Sequence, residues 1–300
     1  MIIVKIMGGI GNQLFQYAIG RMLSLKVGTE LKLDLTWFSE VKEVKGGTKR
    51  KFKLDALNIN YNKASFKDIK KILLLQTTKI QLLPIYKFLN LGYKFRNILF
   101  QRSIFIEPHF MGYNPLIEKA HKNSYLNGYW QSEHYFKHIS DIIRNDLMFI
   151  NAFPESYLPF LKILNETETV SIHVRRGDYI INKNINLLSE VYYKMAIKEL
   201  QKRLQRDLVF VVFSDDMKWC EQNLLLDGKV VYVAPAIQDD VDDLHLMSLC
   251  RHNIIANSSF SWWGAWLNPN PDKIVIAPEK WFISDKRNSL YQLPEGWIRI

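Results

Sequence analysis

The sequence predicts an α/β protein whose two domains face one cleft, and three observations support this prediction. The chain has 300 residues, a length that suits two ordinary domains. It begins with a strand, a glycine turn, a helix and a second strand, and its second half alternates β-branched runs with helical patterns. With 48% apolar and 23% charged residues, the composition is that of a globular protein and excludes a disordered scaffold.

The first half opens with a strand predicted over residues 2–6 and a turn over residues 8–11. A helix follows from near Asn12 to a stop at Gly28, because apolar residues recur there at helical spacing. A strand at 30–35 suits a parallel sheet. Residues 40–165 are irregular apart from a lysine-rich apolar stretch at 66–100, which predicts one or two amphipathic helices.

The second half predicts an open parallel sheet covered by helices. Continuous apolar runs indicate buried strands at 170–174, 208–213, 230–233, 254–256 and 274–277. Helical patterns lie between them at 189–204, from 216, at 241–250 and from about 259, with Ser189 as an N-cap. We divide the chain into an N-terminal domain, 1–160, and a C-terminal domain, 161–300.

The first candidate site is the glycine turn of Gly9, Ile10, Gly11 and Asn12, where a strand end meets a helix N-terminus. Ligands usually bind at this position in an open α/β sheet. The turn does not complete a dinucleotide fingerprint, because Leu14 stands where the third glycine belongs. Two interpretations stay open: a tight turn without a ligand, or a loop that lets a sugar or phosphate approach the backbone.

The second candidate site follows the strand at 170–174 and contains His173, Arg175, Arg176 and Asp178. Burying two arginines at a sheet edge is costly unless an anion meets them, so the pattern favours a phosphate-bearing ligand. An internal Arg–Asp salt bridge is the alternative. Asp178 is also a candidate general base, as are Glu133 and His134 in the aromatic-rich middle of the chain.

Three aspartates and a serine turn complete the set of candidate site residues. Asp215 and Asp216 follow a strand and suit a divalent metal, a ribose or a helix cap, of which the metal is the least favoured. Asp243 lies near a helix start, as a partner for the two N–H donors of guanine or as a solvated acid. The serine turn predicts an anion site at a helix N-terminus, or simple hydroxyl capping, and comprises Ser258, Ser259, Phe260 and Ser261.

Charge and composition limit the classes of partner. The net charge is +10, with +12 in residues 1–150 and −2 in residues 151–300, and the densest basic cluster is 49–53. The basic excess of the first half suits nucleic acid, an anionic membrane surface, a phosphorylated substrate or plain solvation. We expect no nucleic acid partner, because the basic half contains no nucleic-acid-binding motif. The apolar start without a cleavable leader predicts a cytoplasmic protein, and Cys220 and Cys250 are expected to be buried thiols.

Three segments, in order along nearly the whole chain, carry a resemblance: GGIGNQLFQYA, HVRRGDY and NSSFSWWGAWL. They resemble the signature segments of the α-1,2-fucosyltransferases of glycosyltransferase family 11, from which the chain departs conservatively at Ile10 and Leu14. HVRRGDY and the FSDD segment are also similar to those of α-1,6- and protein O-fucosyltransferases.

The resemblance implies a GT-B fold of two Rossmann-like domains facing a central cleft, with the chain end free to return to the first domain. It implies inverting transfer from GDP-β-L-fucose to a terminal β-galactoside, without a metal or other cofactor. Similarity to bacterial members implies surface-polysaccharide or O-antigen synthesis in the cytoplasm, with loose contact at the inner membrane face allowed. The alternatives are transfer of another GDP-6-deoxyhexose and noncatalytic carbohydrate binding.

The same resemblance implies roles for individual residues. Arg175 would bind the diphosphate, in a loop shaped by His173 and Asp178. Asp243 would bind guanine, and Ser258, Ser259, Phe260 and Ser261 would form the phosphate-side turn. The glycine turn with Asn12 would approach the fucose and diphosphate from the other domain.

Overall fold

The computed structural model describes residues 1–40, 50–74, 103–107, 113–224, 226, 228–234, 238–284 and 291–300. The chain divides into two units, Met1–Leu147 and Met148–Ile300, and each unit contains one parallel sheet. Most of the predicted amphipathic stretch at 66–100 lies outside the described residues, as does Lys49. Among the helices in the described ranges, none is long and apolar enough to cross a membrane.

The first unit has a five-stranded sheet in the order β3-β2-β1-β5-β4. Its strands are β1 (Ile2–Lys5), β2 (Leu31–Asp34), β3 (Asn62–Lys63), β4 (Ile104–Ile106) and β5 (Ser124–Asn127). Its helices are α1 (Ile10–Lys26), α2 (Trp37–Glu40), α3 (Phe66–Leu74) and α4 (Ser140–Asp146). The predicted strand, turn, helix and strand at the start of the chain are confirmed.

Helix α1 packs closely on β1, and hydrogen bonds join it to α4, the last helix of the unit. A Cβ on Gly20 would lie 2.5 Å from Cγ2 of Val4, so only glycine allows this approach. At the far end of the unit, Oδ2 of Asp146 accepts hydrogen bonds from Tyr17 and Arg21 of α1, both at 2.8 Å. Asp146 therefore holds α4 against the first helix.

The second unit has a six-stranded sheet in the order β11-β10-β9-β6-β7-β8. Its strands are β6 (Thr169–Val174), β7 (Val209–Ser214), β8 (Lys229–Tyr232), β9 (His252–Ile254), β10 (Val275–Ala277) and β11 (Ile298–Arg299). Its helices are α5 (Leu158–Glu166), α6 (Glu190–Leu204), α7 (Met217–Asn223), α8 (Asp240–Leu249) and α9 (Ser259–Leu267). Counted from β6, this is the Rossmann strand order 3-2-1-4-5-6.

Both faces of the second sheet are buried, as its continuous apolar strands predict. Phe210 and Val212 of β7 belong to the apolar core on one face. Val211 and Phe213 belong to the core on the other face. The two thiols, Cys220 and Cys250, are buried and free, as expected.

The expectation about the unit boundary requires correction. The boundary lies after Leu147 rather than at residue 160, because Phe153, Tyr157 and Phe160 pack into the core of the second unit. At the end of the chain, β11 pairs with β10 and completes the second sheet.

Candidate functional site

The strand order of the second sheet creates a crevice at its carboxyl edge. Strand β6 pairs with β7 on one side and with β9 on the other, so the order of the chain reverses between β6 and β9. The loops after these two strands diverge at such a point and leave room for a ligand. The arginine loop, residues 175–179, follows β6, and the serine turn, residues 258–261, follows β9. The structure thus brings these predicted segments to one edge.

Arg175 is held by two carboxylates. Its Nη1 lies 2.9 Å from Oδ2 of Asp215, and its Nη2 donates to Oδ1 of Asp178 at 2.5 Å. The guanidinium carbon lies 5.5 Å from the centre of the Tyr179 ring. The Arg175 side chain remains 21% exposed. Arg175 is therefore oriented by its neighbours while part of it stays accessible.

Arg176 turns to a different partner. Its Nε donates to Oδ2 of Asp216 at 3.2 Å, and its guanidinium carbon lies 4.1 Å from the ring centre of Trp219. Its backbone N–H donates to Oδ1 of Asp215 at 2.8 Å. A Cβ on Gly177 would lie 2.6 Å from Oδ2 of Asp215, so a larger residue at this position would displace the carboxylate.

The internal salt bridge that the sequence analysis kept as an alternative is thus present for both arginines. Asp216 also caps α7, because its side chain accepts the Trp219 N–H at 3.1 Å. Asp215 and Asp216 consequently face cations of the protein. Within the described residues, no group of three or more His, Cys, Asp or Glu side chains is arranged to hold a metal ion.

His173 lies inside the carboxyl edge of the sheet. Its ring is buried, 5.3 Å from the centre of the Phe260 ring, and its carbonyl accepts a hydrogen bond from Tyr193 at 3.3 Å. Burial, followed by the charge of Arg175, lowers the pKa of His173 to about 3. The imidazole is therefore neutral and supports the arginine loop without adding charge.

The serine turn divides into inward and outward residues. Ser258 caps α9 by accepting the Phe260 N–H at 3.3 Å. The buried Ser261 hydroxyl donates to the carbonyls of Ala256 and Ser258, both at 3.4 Å, so this predicted ligand residue points into the protein. Ser259 and Phe260 stay half-buried at the start of the helix. These two positions, with the backbone N–H groups of the first turn, form the accessible part of the serine turn.

Asp243 has two hydrogen-bond partners that local sequence does not predict. Its carboxylate is 7% exposed and accepts hydrogen bonds from the Tyr157 hydroxyl at 2.8 Å and from Nε2 of Gln238 at 2.7 Å. Burial raises its pKa to about 6, against the effect of these two bonds. Tyr157 lies in the segment that the sequence analysis assigned to the other domain, so this interaction was not anticipated.

His245 lies two residues after Asp243 on α8, and its ring stacks between two aromatic rings. It stacks on Phe149 at a centroid distance of 4.0 Å and on Phe153 at 4.3 Å, with interplanar angles of 8° and 17°. Burial lowers its pKa to about 4. This three-ring stack fastens the first residues of the second unit to α8.

The first sheet has its own change of strand order, between β1 and β5. The glycine turn lies there: Gly9 is the N-cap of α1, and Gly8 has a φ of +80°. The guanidinium carbon of Arg50 is 3.8 Å from the position that a Cβ on Gly9 would occupy. One residue of the basic cluster is therefore next to the glycine turn.

Two polar bridges cross this point of the first sheet. Nε2 of Gln131, after β5, donates to Oδ1 of Asn12 at 2.8 Å. Nε2 of Gln16 donates to the Gly128 carbonyl at 3.0 Å, while its Oε1 accepts the Met7 N–H at 2.9 Å. Ile10 and Gly11 are buried. Gly9 and Asn12 are thus the predicted residues at the surface of the turn.

Comparisons with known proteins agree with this architecture. The model of glycosyl transferase family 11 matches residues 1–300. An α-1,2-colitosyltransferase of Escherichia coli is 35% identical and is matched over 100% of this chain and 99% of its own length. The galactoside α-(1,2)-fucosyltransferase 1 of Mus musculus is 28% identical over 58% of this chain and 50% of its length.

A solved structure supports the fold. The complex of a mutant of Arabidopsis thaliana FUT1 with GDP aligns with a TM-score of 0.52 at 11% identity, over 98% of this chain and 75% of that one. This likeness and the two parallel α/β units confirm the predicted GT-B fold. The match of the family model to residues 1–300 shows that the chain belongs to glycosyltransferase family 11.

Proposed function

We propose that this protein transfers L-fucose from GDP-β-L-fucose to the 2-hydroxyl of a terminal β-galactoside, with inversion to an α-1,2 linkage. The observation that carries this proposal is the position of Arg175 at the change of strand order in the second sheet, in a loop whose Tyr179 donates to the carbonyl of Asn257 just before α9. The similarity to a galactoside α-(1,2)-fucosyltransferase supports the choice of sugar and acceptor.

The chemistry follows from the charges. Cleavage of the donor leaves positive charge on the sugar and an additional negative charge on the diphosphate, which fixed cations and N–H groups stabilise. We assign the diphosphate to Arg175 and to the first turn of α9, where Ser259 and Phe260 are half-buried. The partial exposure of Arg175 beside Asp178 and Asp215 leaves part of its guanidinium available to the donor.

The other residues that were expected to bind the sugar donor receive roles from their positions in the structure. Asp243 offers a carboxylate to guanine beside Tyr157. His173, Asp215 and Asp216 hold the arginine loop, while Ser258 and Ser261 hold the serine turn. We assign the glycine turn with Asn12 to the sugar and the first unit to the acceptor. The reaction uses no metal or other cofactor.

The test is a transfer assay with purified protein. We expect GDP release and a fucosylated product when GDP-fucose is incubated with lactose, N-acetyllactosamine or a β-1,3-galactosyl acceptor. Nuclear magnetic resonance of the product should show an α-1,2 linkage. Sugar binding without GDP release from any donor would instead support a noncatalytic carbohydrate-binding protein.

A second candidate function is transfer of colitose, and one observation favours it. The relative that matches this chain over its complete length is named as an α-1,2-colitosyltransferase. Colitose is fucose without the 3-hydroxyl, so the two donors share the guanine and diphosphate groups. A pocket that binds the 3-hydroxyl would reject the deoxy sugar by about 10⁴-fold or more. The ratio of kcat/KM for GDP-fucose and GDP-colitose identifies the donor.

A further inference from the structure

A carboxylate outside all the sequence motifs lies at the carboxyl edge of the first sheet. Glu107 directly follows β4, and Gly128, Tyr129 and Trp130 follow the neighbouring strand β5. Strand β5 also pairs with β1, whose end leads into the glycine turn. Glu107 therefore belongs to the edge at which the strand order of this sheet changes, the usual position of a ligand.

The backbone holds this carboxylate in one place. The N–H groups of Tyr129 and Trp130 both donate to Oε2 of Glu107, the second at 2.9 Å. The backbone N–H of Glu107 donates to the carbonyl of Asn127 at 2.9 Å. Trp130 has a φ of +56°, a conformation that non-glycine residues adopt rarely. Oε1 takes no part in the two backbone bonds, and the Glu107 side chain is half-buried.

Gly128 makes room for the carboxylate. A Cβ at this position would lie 2.3 Å from Cβ of Glu107 and 2.7 Å from its Oε2. No side chain fits there without displacing Glu107 or the backbone. Two positions on neighbouring strand ends are therefore adapted to each other, which points to a function for the carboxylate at this place.

The environment adjusts the acidity of Glu107 to the neutral range. Burial raises its pKa to about 7, although the two N–H bonds act in the opposite direction. Burial, followed by the charge of Glu107, raises the pKa of the neighbouring Tyr129. A group with this acidity accepts and releases protons readily near neutral pH, as general bases do.

We propose that Glu107 is the catalytic base that takes the proton from the acceptor hydroxyl, an assignment that rests on the proposed function. The hydroxyl oxygen forms a bond to the anomeric carbon of the donor sugar. The bond from that carbon to the diphosphate oxygen breaks, and GDP leaves with the electron pair. The hydroxyl proton passes to Glu107 and then to water.

One of the three candidate bases in the sequence, Asp178, is engaged elsewhere. Asp178 is bound to the guanidinium of Arg175 in the second unit, where it orients a group that we assign to the diphosphate. Glu107 stands in the unit that we assign to the acceptor and has no cation bound to it among the described residues. The position of Glu107 thus suits the proton transfer, and that of Asp178 suits the leaving group.

The first experiment compares Glu107→Gln with wild type in the fucosyl transfer assay. The amide oxygen of glutamine still accepts the two N–H bonds, but the side chain no longer accepts a proton. We expect kcat to fall by about 10²–10⁴-fold. The wild-type kcat should rise through an ionisation near pH 7, which the variant should lack and Asp178→Asn should retain. Glu30→Gln is the matched control, because Glu30 precedes β2 at the opposite edge of the same sheet and is exposed.

A second variant separates proton transfer from folding. Glu107→Ala removes the carboxyl group, and added formate should restore kcat in a concentration-dependent manner if a proton acceptor is what is missing. Thermal denaturation and GDP binding check that each variant is folded. A folded Glu107→Gln with wild-type kcat and pH profile would overturn the assignment. So would a wild-type kcat without an ionisation near pH 7, or an inactive, folded Glu107→Ala that formate does not rescue.

Failure of this assignment is distinguishable from failure of the proposed function. A wild-type protein that transfers neither fucose nor colitose to any galactoside overturns the proposed function and the base assignment with it. Active wild-type protein with an equally active Glu107→Gln variant overturns the base assignment alone.

Discussion

Oδ2 of Asp215 lies 2.9 Å from the guanidinium of Arg175, and Oδ1 of the same carboxylate accepts the backbone N–H of Arg176. One aspartate thereby fixes both the side chain of Arg175 and the course of the loop that carries it. This arrangement gives Asp215 a positioning role in the arginine loop.

Replacing Asp215 with asparagine should impair turnover. A partly exposed ion pair is worth at most about 1 kcal/mol, so freeing Arg175 from it strengthens GDP binding little. Misplacing the guanidinium by about 1 Å costs up to about 10²-fold in rate, and this effect should dominate. We expect kcat to fall 10- to 100-fold with a GDP dissociation constant within about tenfold of wild type. Asp207→Asn, exposed before β7, is the control, and equal kcat values for both variants would contradict the role.

Removing the guanidinium itself should have a larger effect. Arg175→Ala should lower kcat/KM for GDP-fucose by about 10²–10³-fold, because a fixed cation at the diphosphate is lost. The variant should keep the circular dichroism spectrum of wild type. Arg203→Ala, on the exposed face of α6, should be as active as wild type. Near wild-type turnover of Arg175→Ala would remove the diphosphate assignment.

Chelation tests the proposal that catalysis needs no metal. Asp215 and Asp216 both face arginines, so EDTA should change the rate by less than about twofold. The assay measures GDP release before and after EDTA treatment. Strong inhibition that added magnesium or manganese reverses would restore these carboxylates as metal ligands.

The stack around His245 predicts a pH-dependent stability. The pKa of His245 is lowered to about 4 in the folded protein, against about 6.5 in an unfolded chain. The neutral ring therefore stabilises the fold fully above about pH 6.5, and this contribution is lost as the pH falls towards 4. At pH 5, protonation of His245 lowers the free energy of unfolding by roughly 1 kcal/mol after allowance for partial exposure, and His245→Phe should remove this loss.

The measurement is the Tm of wild type and His245→Phe at pH 5 and pH 8. His173 and His252 also have lowered pKa values, so both proteins should lose stability in acid, the variant by less. His138→Phe replaces an exposed histidine in the first unit and serves as the control. An equal fall in Tm for wild type and His245→Phe would show that the stack does not titrate.

Much of the second sheet could be predicted, because its strands are continuous β-branched runs buried on both faces. The observed bounds of β6 and β7 differ by one residue from the predicted ones. Strand β5, with the sequence SYLN, was missed because its polar ends show no such run. The position of β5 in the sheet depends on backbone hydrogen bonds to β1 and β4. Pairing between strands that are far apart in the chain leaves no pattern in the local sequence.

The same distinction applies to the candidate site. Arg175, Asp215 and Asp216 could be singled out because they follow predicted strands, and parallel strands end at a common edge of the sheet. Tyr157 was missed because it lies 86 residues before its partner Asp243. Glu107 was missed because its surroundings come from the loop 22 residues further on. Partners brought together only by folding have no local signal.

The hydrogen bonds of Asp146 indicate at which residue the chain can be divided so that each half is expressed as a separate polypeptide. A first fragment that ends after Leu147 keeps the carboxylate that joins α4 to Tyr17 and Arg21. A cut at residue 160 would deprive the second fragment of Phe149, Phe153 and Tyr157, the rings that pack on α8. Binding of GDP and of acceptor sugars can then be measured on each half by itself.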